Sequence, residues 1–149
     1  MKLWRISNYA DLTGAGGLKA AGRWHNRGIP IVYLGESVAL AMLETLVHFE
    51  LAPDEVPDSF QLLTVTAEDN IAIAHLSQDA LLADWQSNQD YTRAIGDEWL
   101  MSASSALLKV PSAIIPESYN YLFNPRHPDA DKIQIDSVRH CPFDQRLIN

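Results

Sequence analysis

The stretch GRWHNRGIPIVYLGESVALAMLETLVHFE, residues 22–50, decides how the rest of the chain is read. It reads as a loop, a short strand and a helix, with an arginine, a tyrosine and a glutamate set into them. Ile29-Pro30-Ile31-Val32-Tyr33-Leu34 is apolar and rich in β-formers, and a proline near its start suits a strand's first residues or a sheet edge. Gly35 breaks the run, and Ser37 stands where a helix N-cap would sit. Val38, Met42, Thr45 and Phe49 then recur at helical spacing and mark one face, while Leu40, Leu43 and Val47 fall on the other sides. A helix apolar nearly all round is expected to be largely buried. Glu44 lies in its middle, and a carboxylate flanked by protein needs either a partner or a job. Two readings stay open. Glu44 is architectural, reaching solvent or pairing with an arginine, or it joins Arg23 and Tyr33 in a site at the strand–helix junction.

Working outward, the 149 residues are enough for one domain, 1–149, with a real core. Apolar residues make up 47% and charged ones 20%, ordinary for a globular protein, and no run approaches the ~18 apolar residues a membrane helix needs. Met1-Lys2-Leu3-Trp4-Arg5 lacks the apolar core of a signal peptide. Cys141 is the sole cysteine, which excludes an internal disulfide and fits a reducing cytoplasm; an isolated cysteine is poor evidence for a nucleophile. Eleven basic residues stand against nineteen acidic, a net charge of −8, and no basic cluster exceeds a pair. Gripping nucleic acid takes a basic face that displaces counterions, so direct nucleic-acid binding is not expected. The same acidity gives weight to any arginine in a cleft, because an anionic ligand must overcome the overall repulsion.

The elements outside the central stretch are mixed. Residues 3–6 read as a first strand, and 11–21, with Gly14, Gly16 and Gly17, as a loop without the spacing of a dinucleotide fingerprint. Leu51-Ala52-Pro53 is expected to stop the central helix, with an acidic loop over 54–58. Residues 60–66 and 71–75 look like strands joined by a turn at Glu68-Asp69-Asn70. The spacing predicts a second long helix over 92–108, ended by Val110 before Pro111. Strand candidates follow at 112–115, 120–124 and 132–138, with a turn at Asn124-Pro125. This order lacks the regular alternation of a doubly wound sheet, and the fold class is α+β, a single domain.

Several ordered blocks are similar to one known family. Gly22-Arg23-Trp24, Tyr33-Leu34, the run E-S-x-A-L-A-x-L-E over 36–44, the run 92–100, Val110-Pro111-Ser112, N-Y-L-F-N-P-R-H over 120–127, and Phe143-Asp144-Gln145-Arg146-Leu147 resemble the RES domain, the toxin half of bacterial Xre–RES toxin–antitoxin pairs. Glutamine stands at 145 where the family commonly has proline. The resemblance spans almost the whole chain. It implies a fold like that of ADP-ribosyltransferases, a mixed β-sheet core with flanking helices, and an enzyme that consumes NAD as a substrate, with no metal. It also implies a cognate antitoxin of the Xre type, carrying a helix-turn-helix, covering the active-site cleft within a multimeric complex.

NAD presents a diphosphate, two riboses and a cationic nicotinamide poised to leave. Breaking the nicotinamide–ribose bond builds positive charge on the sugar, as in glycoside hydrolysis, and the leaving group departs neutral. The demands are cations for the phosphates, a flat surface for the ring and a carboxylate near the developing charge. The resemblance places these functions on Arg5, Arg23, Tyr33 and Glu44. Arg5 or Arg23 would fork onto phosphate oxygens, or either could neutralise Glu44. Tyr33 would stack on the nicotinamide or ribose, or sit as an ordinary strand-core tyrosine. Glu44 would hold a ribose hydroxyl and stabilise the transition state. The resemblance also puts Ser112 on the pocket lining; Asn120 and Asn124 are weaker candidates, since asparagine beside proline usually serves turn geometry. The five histidines show no zinc spacing, no G-x-S-x-G elbow occurs, and Glu44 with His48 at i,i+4 reads as a simple side-chain pair.

Overall fold

Pro30 has no N–H to give a sheet ladder, and pairing of the central strand begins only two residues after it. In the computed structural model, which describes residues 1–48 and 57–148, that strand is β2 (Val32–Gly35), and the helix after it is α2 (Val38–Leu46). Around them lie β1 (Lys2–Ile6), α1 (Ala15–Lys19), β3 (Ser59–Ala67), β4 (Ile73–His75), α3 (Gln89–Ser102), β5 (Leu107–Pro111), β6 (Tyr119–Phe123) and β7 (Ile133–Pro142). The strands form one seven-stranded sheet in the order β4-β5-β6-β2-β1-β3-β7. Only β4–β5 is parallel, so the sheet is mixed and the α+β reading holds.

Alternation along the strands splits the core in two. On one face Leu3, Val32, Leu34, Leu63, Val65 and Tyr121 pack together. On the other, Leu108, Val110 and Leu122 meet Trp99 and Leu100 of α3, together with Trp24, Ile31 and Trp85 from the loops. Registers Tyr33↔Leu122 and Gly35↔Asn120 place the ends of β2 and β6 side by side, with Asn120 on the α3 side of the sheet.

Ser37 caps α2, its Oγ accepting the Leu40 N–H at 3.0 Å. The expectation of a largely buried helix fails: Leu40 and Ala41 are its buried residues, while Val38 and Val47 are 39% and 53% exposed. Among the described elements the helix packs chiefly on β1 and β2, and its apolar residues Val38 and Val47 meet solvent. Phe49 and the expected stop at 51–53 lie outside the described residues, as does most of the acidic loop.

Four further expectations are corrected. Residues 11–21 include the short helix α1. α3 starts earlier than expected, at Gln89, with Asn88 Oδ1 accepting the Tyr91 N–H, and stops at Ser102, where Ala103 turns left-handed at φ 49°. The buried run 106–110 joins the sheet instead of extending the helix, because a short apolar run suits either state and pairing with β6 decides. Residues 112–115 form a turn, with Ser112 Oγ accepting the N–H groups of Ile114 and Ile115. The turn expected at 68–70 does form, with the Ile71 N–H donating to Glu68 O, and β4 then crosses to the far edge of the sheet from β3.

The loop before β2 is held by one face of α3. Thr92 Oγ1 donates to Arg23 O at 2.6 Å, Arg93 Nε donates to Gly22 O at 2.8 Å, and both Asp97 oxygens accept from Asn26, at 3.0 Å from its N–H and 2.7 Å from Nδ2. Gly96 lies among them, and a Cβ there would overlap the Trp24 carbonyl. Gly96→Ala is therefore expected to destabilise the fold by about 1–3 kcal/mol, seen as a melting temperature lower by several degrees. Gly16→Ala, where a Cβ meets nothing within 4 Å, should leave it unchanged or raise it. Equal melting for both variants would show that the loop does not need this close approach.

Candidate active site

The clamped loop, the inner side of α2, the ends of β1 and β2 and the start of α3 enclose a cleft of about 510 Å³. Among the described residues, three arginines, Arg5, Arg23 and Arg93, and a single carboxylate, Glu44, line it. The excess of positive charge sits inside a chain whose net charge is −8.

Glu44 is half-buried, and its Oε1 accepts from Ser112 Oγ at 2.7 Å and from Asn120 Nδ2 at 2.8 Å. Ser112 is fully buried, and two backbone N–H groups already point at its oxygen. Its one proton therefore goes to Glu44. Oε2 has no protein partner among the described residues, and no arginine or lysine there forms an ion pair with Glu44. The architectural pairing with Arg5 or Arg23 is not made, and the Glu44–His48 pair does not form either, although both side chains line the cleft. The result is an anion held by neutral donors with one oxygen unclaimed.

Arg23 donates from Nη1 to Gln86 O at 2.8 Å, and Arg5 from Nη1 to Asp11 O at 3.2 Å. Burial lowers the pKa of each guanidinium; for Arg23 the Glu44 charge partly offsets this, and Arg93 adds to the depression. Each keeps donors unused among the described residues.

Tyr33 lines the cleft, and its hydroxyl accepts the Trp24 N–H at 3.1 Å and lies 2.7 Å from His25 Nδ1. His25 Nε2 is 3.0 Å from Ala20 O, a group that can only accept, so the ring proton sits on Nε2. Burial lowers the His25 pKa, Nδ1 is left as an acceptor, and the Tyr33 hydroxyl donates to it. Burial likewise raises the phenol pKa. The hydroxyl is thus committed to fixing the loop.

Arg5, Arg23, Tyr33, Glu44 and Asn120 meet at the one cleft, while Ser112 lies behind Glu44 and does not line it. Asn124 is buried and structural, donating to Leu100 O and accepting the Arg126 N–H. Sequence reasoning missed Arg93, His25 and Gln89 as cleft residues. The available signal was a polar face on α3, Thr92, Arg93 and Asp97, around a glycine. Among the described residues no group of three His, Cys, Asp or Glu is placed to hold a metal.

Residues 2–144 match the RES domain. The chain belongs to the RES domain family. A relative named "Toxin Res", from Pseudomonas putida, is 49% identical over 147 residues, covering 99% of both chains. Another, named "Prs ADP-ribosylating toxin", from Sphingobium sp., is 39% identical over 155 residues, covering 97% of this chain and 95% of the relative. The crystal structure of the M. tuberculosis MbcT–MbcA toxin–antitoxin complex contains a chain of like fold, with a TM-score of 0.76 at 18% identity over 98% of this chain and 85% of that one.

In this RES domain the carboxylate geometry hangs on Ser112. Ser112→Ala removes the donor to Glu44 and strands two N–H groups, a loss of about 1–3 kcal/mol. Thermal melting should show it as a drop of several degrees. Asn120→Ala, at a partly exposed site, should cost less. A larger drop for Asn120→Ala would reverse that order of importance.

Proposed function

We propose that the chain is a toxin that consumes NAD by cleaving the nicotinamide–ribose bond and passing ADP-ribose to water, phosphate or a macromolecular acceptor. The observation that carries this reading is Glu44: a carboxylate without an ion-pair partner among the described residues, braced on Oε1 and open on Oε2, beside three arginines in one cleft. The family membership and the relative named as ADP-ribosylating support it.

On this reading Arg23 or Arg5 forks onto the diphosphate through its unused donors. The Tyr33 ring packs against the nicotinamide or its ribose. The C1′–N bond breaks with its electron pair leaving on the nicotinamide nitrogen, which becomes neutral, and positive charge develops on the ribose. Glu44 Oε2 faces that charge and a ribose hydroxyl, while Ser112 and Asn120 keep the carboxylate oriented so that nothing need reorganise during the step. The acceptor oxygen then bonds to C1′ and sheds its proton. Ser112 thus serves Glu44 from behind; Asn120 does so from the cleft wall.

Purified chain incubated with NAD, with and without phosphate, is expected to release nicotinamide, with the other product identified by mass. Glu44→Gln keeps size and most hydrogen bonding but removes the anion, so NAD binding should change little while turnover falls about 10²–10³-fold, roughly 3–4 kcal/mol. Arg23→Lys should weaken both binding and rate. Near wild-type turnover by Glu44→Gln with earlier melting would make Glu44 architectural, and intact NAD under all conditions would leave a non-catalytic nucleotide-binding domain.

The same reading calls for an antitoxin of the Xre type, with a helix-turn-helix, seated over the cleft in a multimeric complex. Val47 and Ile114, 53% and 37% exposed on the cleft lining, offer it an apolar rim. With a net charge of −8, this chain should leave operator binding to the partner. In gel shifts at physiological salt the complex should bind its promoter and this chain alone should not. Equal binding by both would overturn that division.

A further inference from the structure

Arg93 is unassigned by the reading above, yet it lines the cleft beside Arg23. Its Nε is fixed on the Gly22 carbonyl and its Nη2 on Gln89 Oε1 at 3.0 Å, so the guanidinium is held in one orientation with Nη1 unclaimed among the described residues. Thr92 Oγ1 holds the next carbonyl, that of Arg23. The two guanidiniums therefore spring from backbones locked together one peptide apart. Arg23 is likewise fixed through Nη1 on Gln86 O.

No carboxylate among the described residues forms an ion pair with either arginine. Asp97, an acid on the same face of α3, spends both oxygens on Asn26. The charge of Arg93 adds to the depression of the Arg23 pKa, which burial begins, as expected for like charges sharing a poorly solvated wall. A single phosphate is served by one guanidinium fork. Two pinned guanidiniums, repelling each other across a cleft wall, match two linked anionic groups.

We propose that Arg93 is a ligand-binding residue that, with Arg23, forms a two-guanidinium site for the diphosphate of a dinucleotide. The assignment rests on the cleft being a nucleotide site, but not on any turnover of NAD. It divides the arginines: Arg23 and Arg93 read the diphosphate, and Arg5, tied to Asp11 O, is left for another part of the ligand.

The test is calorimetric titration of the purified chain with inorganic pyrophosphate, ADP-ribose and nicotinamide riboside, which has no phosphate, at several salt concentrations. Arg93→Gln should weaken pyrophosphate and ADP-ribose about 10–100-fold, the loss of one charge-assisted contact, with a flatter salt dependence. Riboside binding should hold. Arg93→Lys should keep the salt dependence and lose part of the affinity. Thr92→Val loosens the same loop without changing charge, so it reports a purely structural effect: all three ligands weakened alike, salt dependence intact. If Arg93→Gln behaves like Thr92→Val, or binds pyrophosphate like the wild type, the proposal is wrong. If NAD proves untouched while the Arg93-dependent loss of pyrophosphate stands, the cleavage reading fails and the diphosphate site remains.

Discussion

The architecture of the cleft depends on the docking of one loop against one helix. Residues 20–28 carry Arg23, bring Trp24 into the core and set His25 against Tyr33, yet the loop has little regular structure of its own. It is fixed from outside, by Thr92, Arg93 and Asp97 bonding three successive stretches of its backbone, and by Gly96 letting that backbone come close. An irregular segment keeps its shape only when its polar backbone groups find partners. Here α3 supplies them, so the placement of Arg23 and Arg93 is a property of helix–loop contact more than of the sheet, while Arg5 is carried by β1. The sheet contributes the opposite wall, with Asn120 and Tyr33 on adjoining strands and Glu44 on the helix that leaves β2.

Within that frame charges are left deliberately unmatched. A folded chain ordinarily pairs poorly solvated arginines with carboxylates, and Glu44 stands in the same cleft as three guanidiniums. Instead, Glu44 takes neutral donors, and Arg5, Arg23 and Arg93 take neutral carbonyl or amide acceptors. Such bonds orient a charged group without cancelling its field. On the proposed reading, a ligand with anionic groups at one end and a developing cation at the other supplies the missing counter-charges.

The sequence was most legible where local chemistry was unambiguous. Ser37 before an apolar helix, β-rich residues after Pro30, and the strand at 120–124 all appear close to where they were read. It was least legible at 103–111, where an apolar run fits helix and strand equally and a pairing partner some ten residues further on makes the decision. Burial of α2 was overread for a related reason: apolar residues all round say what a helix can bury, not how many neighbours it has. The candidate residues came from family blocks. Their mutual geometry did not, because Ser112 and Asn120 reach Glu44 over 68 and 76 residues. Arg93 went unremarked because an arginine on a polar helix face looks solvated until the loop it touches is placed.

An acidic chain with a basic cleft also follows from these constraints. Nineteen acids against eleven bases repel anions at a distance, and low overall affinity for polyanions follows. Inside the cleft three arginines stand beside the apolar walls of Trp24, Ile31 and Leu34, where charges are screened less than in open water. On the proposed reading, selectivity for a small, doubly anionic ligand rests on where three of the eleven basic residues, Arg5, Arg23 and Arg93, are placed.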